Sequence, residues 1–341
     1  MDSSLILDPP RKINFGLQEN TCNMSCPKCL VHSENYPRGL ELRKRLGIMN
    51  LDNILRVFDE ISDFQPLVSP SYWGEPLLNR KLFKAFSVEA HKRSIPIMIN
   101  TNGLLIDDQM AEFLVEHLAV ISISIDAHTA EVLEKTRASN ELERISDAVH
   151  RLLEHRGKSL TPRIVVSFSE EEANSHEKEQ FINHWIKFVD AIRINEIYDS
   201  SRKIEKVDFK IARQPCREIY DSMNIDFDGT VRMCCVDGYR ETNLGNVFED
   251  GVLAVWNGSA FQKLRMGHEG KGKIDPFCDS CDQWAGFNIT SEVEENGLLL
   301  RRTAHSTYIN RLDRLSNWTE ETKRRDVKIK FKSNDAFLDV M

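Results

Sequence analysis

The stretch KINFGLQENTCNMSCPKC, residues 12–29, decides how this chain is read. KINFGL (12–17) reads as a first strand, and the loop that follows carries Cys22, Cys26 and Cys29 within eight residues. Thiolates are soft ligands suited to zinc or to iron–sulfur clusters. A structural zinc site takes four ligands; no fourth cysteine lies nearby, and His32 is the only close histidine. Three cysteines on one loop suit a 4Fe–4S cluster with one iron left open to a small molecule. From these residues alone zinc stays open as the alternative.

Strand-like and helix-like segments alternate from there. LDNILRVFDEI (51–61) has apolar residues at helical spacing, and PLVSPSYW (66–73) can be a strand. RKLFKAFSVEAHKR (80–93) is a predicted helix, and PIMIN (96–100) a short buried strand running into the turn signal Thr101-Asn102-Gly103. DDQMAEFLVEHL (107–118) starts with acidic residues, as helices do. AVISISI (119–125) alternates Ile and Ser and is the clearest strand. ELERISDAVHRLLEH (141–155), RIVVSF (163–168), EKEQFINHWIKFV (177–189) and AIRINEI (191–197) continue the order helix, strand, helix, strand. The repetition predicts an α/β fold with a parallel sheet and right-handed crossovers. About six units fit, fewer than the eight of a closed barrel, and ligands are expected at the C-terminal ends of the strands.

The wider composition narrows the function classes. Of 341 residues 41% are apolar and 29% charged, as in an ordinary globular enzyme. A net charge of −8 disfavours nucleic acid or an anionic membrane as the main partner. No secretory signal or membrane-spanning apolar run is visible, so a cytoplasmic location is expected. In that reducing setting the clusters formed by the eight cysteines read as metal-binding rather than as disulfides.

With these features in place the sequence resembles the radical S-adenosylmethionine (SAM) superfamily, whose mark is a C-x3-C-x2-C loop after the first strand of a partial (β/α)6 TIM-type barrel. The resemblance covers about residues 12–197 and implies that the open iron chelates SAM, whose cleavage yields a hydrogen-abstracting 5′-deoxyadenosyl radical. Trp73-Gly74-Glu75-Pro76 resembles the family's GGEP motif beside the methionyl amino group. Asn100 and Asn102 follow the third strand, and Ser124 and Asp126 the fourth, positions the family uses around SAM. Two departures stand out: Lys28 replaces the usual aromatic beside adenine, and Trp73 the first glycine of the second motif. The bland reading of each strand-end residue is a turn or a cap.

A second group, Cys216, Cys234, Cys278 and Cys281, offers four ligands at spacings that need a folded module, with Cys235 left over. Four-cysteine zinc is again an alternative. NIDF, Asp228-Gly229 and TVRMC (224–234) form a hairpin signal, and a helix is expected over residues 252–265. The order resembles the SPASM/twitch region of radical SAM enzymes, through Gly229–Cys234, Leu244-Gly245-Asn246, Val255-Trp256-Asn257 and the closing C-x2-C. The further cysteines of the full SPASM form are absent, which implies a twitch-like α+β module with one fully ligated auxiliary 4Fe–4S cluster.

The expected organisation is a partial barrel over 1–205, a twitch-like module over 206–290 and a tail over 291–341 without an assigned role. The resemblance extends to aminocyclitol dehydrogenases and aminoglycoside epimerases. It implies oxidation of a carbinol carbon on a sugar or aminocyclitol, with flavodoxin or ferredoxin as electron donor. The alternatives are epimerisation with Cys235 as hydrogen-atom donor, modification of a ribosomally made peptide, or a zinc-stabilised binding module. The peptide role is disfavoured by the short segment before the first strand. The bland reading of Cys235 is a small buried apolar residue.

Overall fold

The structure, a computed structural model, describes residues 8–18, 21–44, 47–196, 212–305 and 309–323. The strands among them are β1 (Lys12–Phe15), β2 (Leu67–Ser69), β3 (Met98–Thr101), β4 (Val120–Ser124), β5 (Arg163–Glu170), β6 (Ala191–Glu196), β7 (Ser222–Ile225), β8 (Val231–Arg232), β9 (Ile289–Glu295), β10 (Leu298–Thr303) and β11 (Arg311–Arg314). β1 and β2 are parallel, β3 through β6 are parallel in chain order, and a bridge from Val68 to Ile97 links the two sets. Six parallel strands with helices between them make the partial barrel that the alternation predicts. β2 is shorter than its predicted span because Pro70 has no N–H to continue the ladder.

Helical periodicity fixes the outer layer. The helix Leu51–Ile61 is capped by the Asn50 side chain, which accepts from Asp52 N, and it buries Ile54, Val57, Phe58 and Ile61. The helix Arg80–Lys92 buries Phe83, Phe86, Ser87 and Ala90 at the same spacing. Phe15 of β1 meets Phe58 and Phe86 edge-on at 5.8 and 5.3 Å between ring centroids. Burying such a ring contributes about 1.5–3 kcal/mol. Alternation along β1 then turns Lys12 and Asn14 to the opposite face, where both line the barrel's interior cavity.

Both edges of the barrel sheet are extended rather than closed on each other. β7 pairs parallel to β1 and antiparallel to β8, across the predicted Asp228-Gly229 turn. Gly229 sits at φ +86°, and a Cβ there would lie 2.4 Å from the Phe248 ring, so only glycine fits. On the other edge β11 pairs antiparallel to β6, and β10 and β9 complete a meander. The segment for which the sequence suggested no role thus supplies three strands to the barrel sheet. Its turn is Asn296-Gly297, both at positive φ, a favoured hairpin pair.

Buried ion pairs fasten this extension. Asp313 is fully buried and accepts from Arg163 of β5 at 2.8 Å and from Arg311 at 2.5 Å. Asp190, also fully buried, accepts from Arg156, from Ile164 N at 2.6 Å and from Asn317 Nδ2 at 2.6 Å.

The helix predicted over residues 252–265 is two helices, Val252–Trp256 and Ser259–His268, separated where Gly258 takes an extended conformation as the second helix's cap. The boundary expected at residues 205 and 206 lies outside the described residues. Among those described, no helix is long and apolar enough to cross a membrane.

Candidate active site

The loop after β1 folds the three cysteines into successive turns. Cys29 N donates to Cys26 O at 2.9 Å, and Ser33 N to Cys29 O at 3.0 Å. All three thiols are free and partly exposed. Burial pushes the Cys22 thiol up to about 12, with Glu75, Cys26 and Cys29 adding to it. Burial also raises Cys26, while the Arg137 guanidinium draws it back. Three free thiols on one loop, two of them raised by burial, fit a cationic cluster larger than a single ion, since a coordinating thiol is deprotonated outright.

The motif after β2 is stapled to that loop. Glu75 N donates to Thr21 O at 2.8 Å, and a Cβ on Gly74 would stand 2.5 Å from the same carbonyl oxygen. Pro76 begins a 3-10 turn, Pro76–Leu78. The Glu75 carboxylate is buried and accepts from Thr101 Oγ1 at 2.8 Å, Asn102 N at 2.9 Å and Leu77 N at 3.1 Å. Burial raises its pKa above the ordinary carboxylate value, against the pull of these donors. Asn102 Nδ2 in turn donates to Asn23 Oδ1, between the first two cysteines, at 2.8 Å. The strand-end motifs that the sequence singled out therefore form one hydrogen-bonded unit.

The remaining expected contacts are placed differently. Asn100 Oδ1 accepts from Arg193 of β6 at 3.2 Å, and Ser124 is half-buried at the end of β4. Asp126, in the left-handed region at φ +63°, uses both carboxylate oxygens within the protein. Oδ1 accepts from Ser169 N and Oδ2 from Arg137 Nη1, each at 2.6 Å. Lys28 is exposed on the cysteine loop, and its charge reaches Glu171.

Arg137, at the end of the helix Ala130–Arg137, is the residue that sequence reasoning missed. Its Nε is buried without a hydrogen-bond partner among the described residues, and its charge reaches both Cys26 and Cys22. An orphaned guanidinium N–H beside the thiols fits an anionic group. One arginine in an unpredicted short helix carries no sequence signal of its own.

The second group gathers at the inner side of the barrel. Cys234 and Cys278 are buried. Burial drives Cys216 and Cys234 well above the ordinary thiol value, and Cys281 adds to both. Cys278 Sγ lies 3.2 Å from Met233 Sδ. Among the described residues no three His, Cys, Asp or Glu side chains converge on a single-ion site; the cysteines are spread around a volume rather than a point. That volume is a cavity of about 1190 Å³ lined by all five cysteines, by Lys12 and Asn14, and by Tyr72, Trp73, Asn100 and Asn195 at the strand ends.

The cavity therefore runs from the SAM-type motifs to the second cysteine group. Tyr72 OH donates to Cys234 O at 3.3 Å across that span. Glu218, half-buried in the cavity wall, has Ser222 and Cys235 beside its carboxyl group, and burial raises its pKa above the ordinary carboxylate value.

Comparison with known proteins agrees with this layout. Residues 20–175 match the radical SAM superfamily, and residues 216–282 match SPASM, an iron–sulfur cluster-binding domain. A GTP 3′,8-cyclase of Clostridium perfringens is 20% identical over 314 residues, covering 90% of this chain and 84% of that protein. A SAM-dependent 2-deoxy-scyllo-inosamine dehydrogenase of Niallia circulans is 22% identical over 284 residues, 80% and 92% of the two chains.

Among solved structures, BtrN in complex with AdoMet and 2-DOIA superimposes with a TM-score of 0.50 at 17% identity, covering 78% of this chain and 89% of that one. SuiB of Streptococcus suis bound to its precursor peptide gives 0.59 at 15% identity, with 81% and 70% covered. These structures share the fold. The radical SAM domain binds SAM and a 4Fe–4S cluster, and the SPASM domain binds auxiliary iron–sulfur clusters. This chain is a radical SAM enzyme with a C-terminal SPASM domain.

Proposed function

We propose that the enzyme oxidises a carbinol carbon of a polar small molecule, a sugar or aminocyclitol, to a ketone. The observation that carries this reading is the cavity of about 1190 Å³ that joins the strand-end motifs to the second cysteine group. That exceeds the space one drug-sized ligand needs, leaving room for substrate beside SAM. Two buried polar atoms on residues lining it, Trp73 Nε1 and Asn195 Oδ1, have no partner among the described residues. One donates and the other accepts, which suits a ligand rich in hydroxyl groups. The likeness to the N. circulans dehydrogenase supports the same class.

In this reading Cys22, Cys26 and Cys29 hold the SAM-binding cluster, and Cys216, Cys234, Cys278 and Cys281 the auxiliary one. When bound, these groups supply hydrogen-atom abstraction and a one-electron sink. Glu75 and Asn102 fix the cysteine loop, and the backbone of Gly74, Glu75 and Pro76 with Asn100, Ser124 and Lys28 surrounds SAM. Asp126 orients Arg137, whose free N–H takes the SAM carboxylate. A flavodoxin- or ferredoxin-type protein supplies the reducing electron.

Cys235 favours a second reading, because it lies in the cavity wall: epimerisation, redox-neutral for the substrate, with its S–H returning a hydrogen atom to the opposite face and the resulting thiyl radical restored by a proton and an electron from the flavodoxin- or ferredoxin-type donor. Turnover in D2O with aminocyclitol and sugar alcohols separates the two. Oxidation gives a carbonyl product without solvent deuterium at the reacting carbon, and Cys235→Ala keeps it. A deuterated, inverted product lost in Cys235→Ala overturns oxidation. Absence of 5′-deoxyadenosine with every carbinol tested, alongside its formation with a peptide, overturns the substrate class.

A further inference from the structure

His268 ends the helix Ser259–His268, and its Nδ1 accepts the backbone N–H of Cys216 at 3.2 Å. A ring nitrogen that accepts carries no proton, and a neutral imidazole carries one proton in all. The proton therefore sits on Nε2. The same contact excludes an imidazolium, in which both nitrogens would donate.

Nε2 is buried and has no hydrogen-bond partner among the described residues. The residue lines the cavity that also takes in Cys216, Cys234, Cys278 and Cys281. A buried N–H left unanswered costs about 1–3 kcal/mol, so this donor calls for an acceptor in that space. Metal ligation through Nε2 would need the proton on Nδ1, facing the Cys216 N–H donor to donor. The ring is thus set to donate and not to ligate.

We propose that His268 donates its Nε2–H to a sulfur of the auxiliary cluster and so raises that cluster's reduction potential. This role presupposes that Cys216, Cys234, Cys278 and Cys281 hold the cluster, as proposed above. A hydrogen bond to sulfur stabilises the more negative, reduced state, and the Cys216 N–H that fixes the tautomer belongs to one of the ligands themselves.

The test uses the full chain with Cys22, Cys26 and Cys29 changed to Ala, so that only the auxiliary cluster remains. Iron and sulfide are counted first, and the potential is then read by EPR-monitored titration. His268→Leu is expected to lower the midpoint so that the reduced-to-oxidised ratio at the unaltered midpoint falls about tenfold, about 59 mV for one electron. His268→Gln, whose amide can both accept from Cys216 N and donate, is expected to recover part of the shift. ENDOR of the His268 protein should show an exchangeable proton on the cluster that D2O removes. That spectrum decides the matter even if His268→Leu fails to fold.

A loaded cluster whose potential ignores His268→Leu, or a directly ligating ¹⁴N coupling, overturns the donor role and leaves the cluster assignment intact. A Cys22/Cys26/Cys29→Ala chain without iron overturns both.

Discussion

Gly74→Ala should loosen the first cysteine loop without touching a cysteine. The added Cβ would stand 2.5 Å from the Thr21 carbonyl oxygen, about 0.9 Å inside ordinary contact, and the obstacle is backbone. The two segments must part, and the Glu75 N–H bond to Thr21 O at 2.8 Å stretches with them. Overpacking costs about 1–3 kcal/mol and the bond a further ~0.5–1.5 kcal/mol. The expected loss of about 2–4 kcal/mol corresponds to a Tm drop of about 4–8 °C if each kcal/mol shifts Tm by ~2 °C.

Because Cys22 adjoins Thr21, the strain falls on the ligand loop. Iron retained by the first site, measured with the second site's four cysteines changed to Ala, should fall by at least half, and SAM binding by calorimetry should weaken with it. A Gly74→Ala protein with unchanged Tm, full iron and unchanged SAM affinity would refute the stapling of these two segments.

Other perturbations give equally definite outcomes. Arg137→Gln should weaken SAM binding about 10- to 100-fold, the equivalent of one charge-assisted hydrogen bond, with iron content unchanged by colorimetric assay. Asp313→Ala should destabilise the chain by about 3–5 kcal/mol in urea unfolding, because it strands the Arg163 guanidinium in the sheet. Burial, with the charges of His128, His150 and Lys187, pushes His184 below the ordinary histidine value. The unfolded chain therefore takes up that proton first, so stability falls as the pH drops below about 6.5. His184→Gln should flatten this acid limb in Tm measured against pH.

Much of the barrel was legible because its signals are local. AVISISI alternates in a way few other elements can, and each strand-end motif carries a turn signal. Features that depend on distant partners were not. β10 and β11 are arginine-rich (Arg301, Arg302, Arg311, Arg314) and do not read as sheet until Glu292 is seen to answer Arg301 and buried Asp313 to answer Arg311. The Asn296-Gly297 hairpin turn was the one clue available there. Arg137 lies in a helix, Ala130–Arg137, too short for periodicity to mark. His268 gained meaning only from its contact with Cys216, 52 residues away. Asp126 shows the converse: its position at a strand end was legible, but not that Arg137 and Ser169 N occupy both its oxygens.

The central claim is that the two cysteine groups hold two distinct iron–sulfur clusters, only the first of which meets SAM. EPR of the anaerobically reduced protein with and without SAM tests it most directly. SAM should shift the signal of one cluster, and that signal should vanish in Cys22/Cys26/Cys29→Ala while the second persists unmoved. A spectrum in which SAM shifts neither signal, or a SAM-sensitive signal that survives loss of those three cysteines, would contradict it.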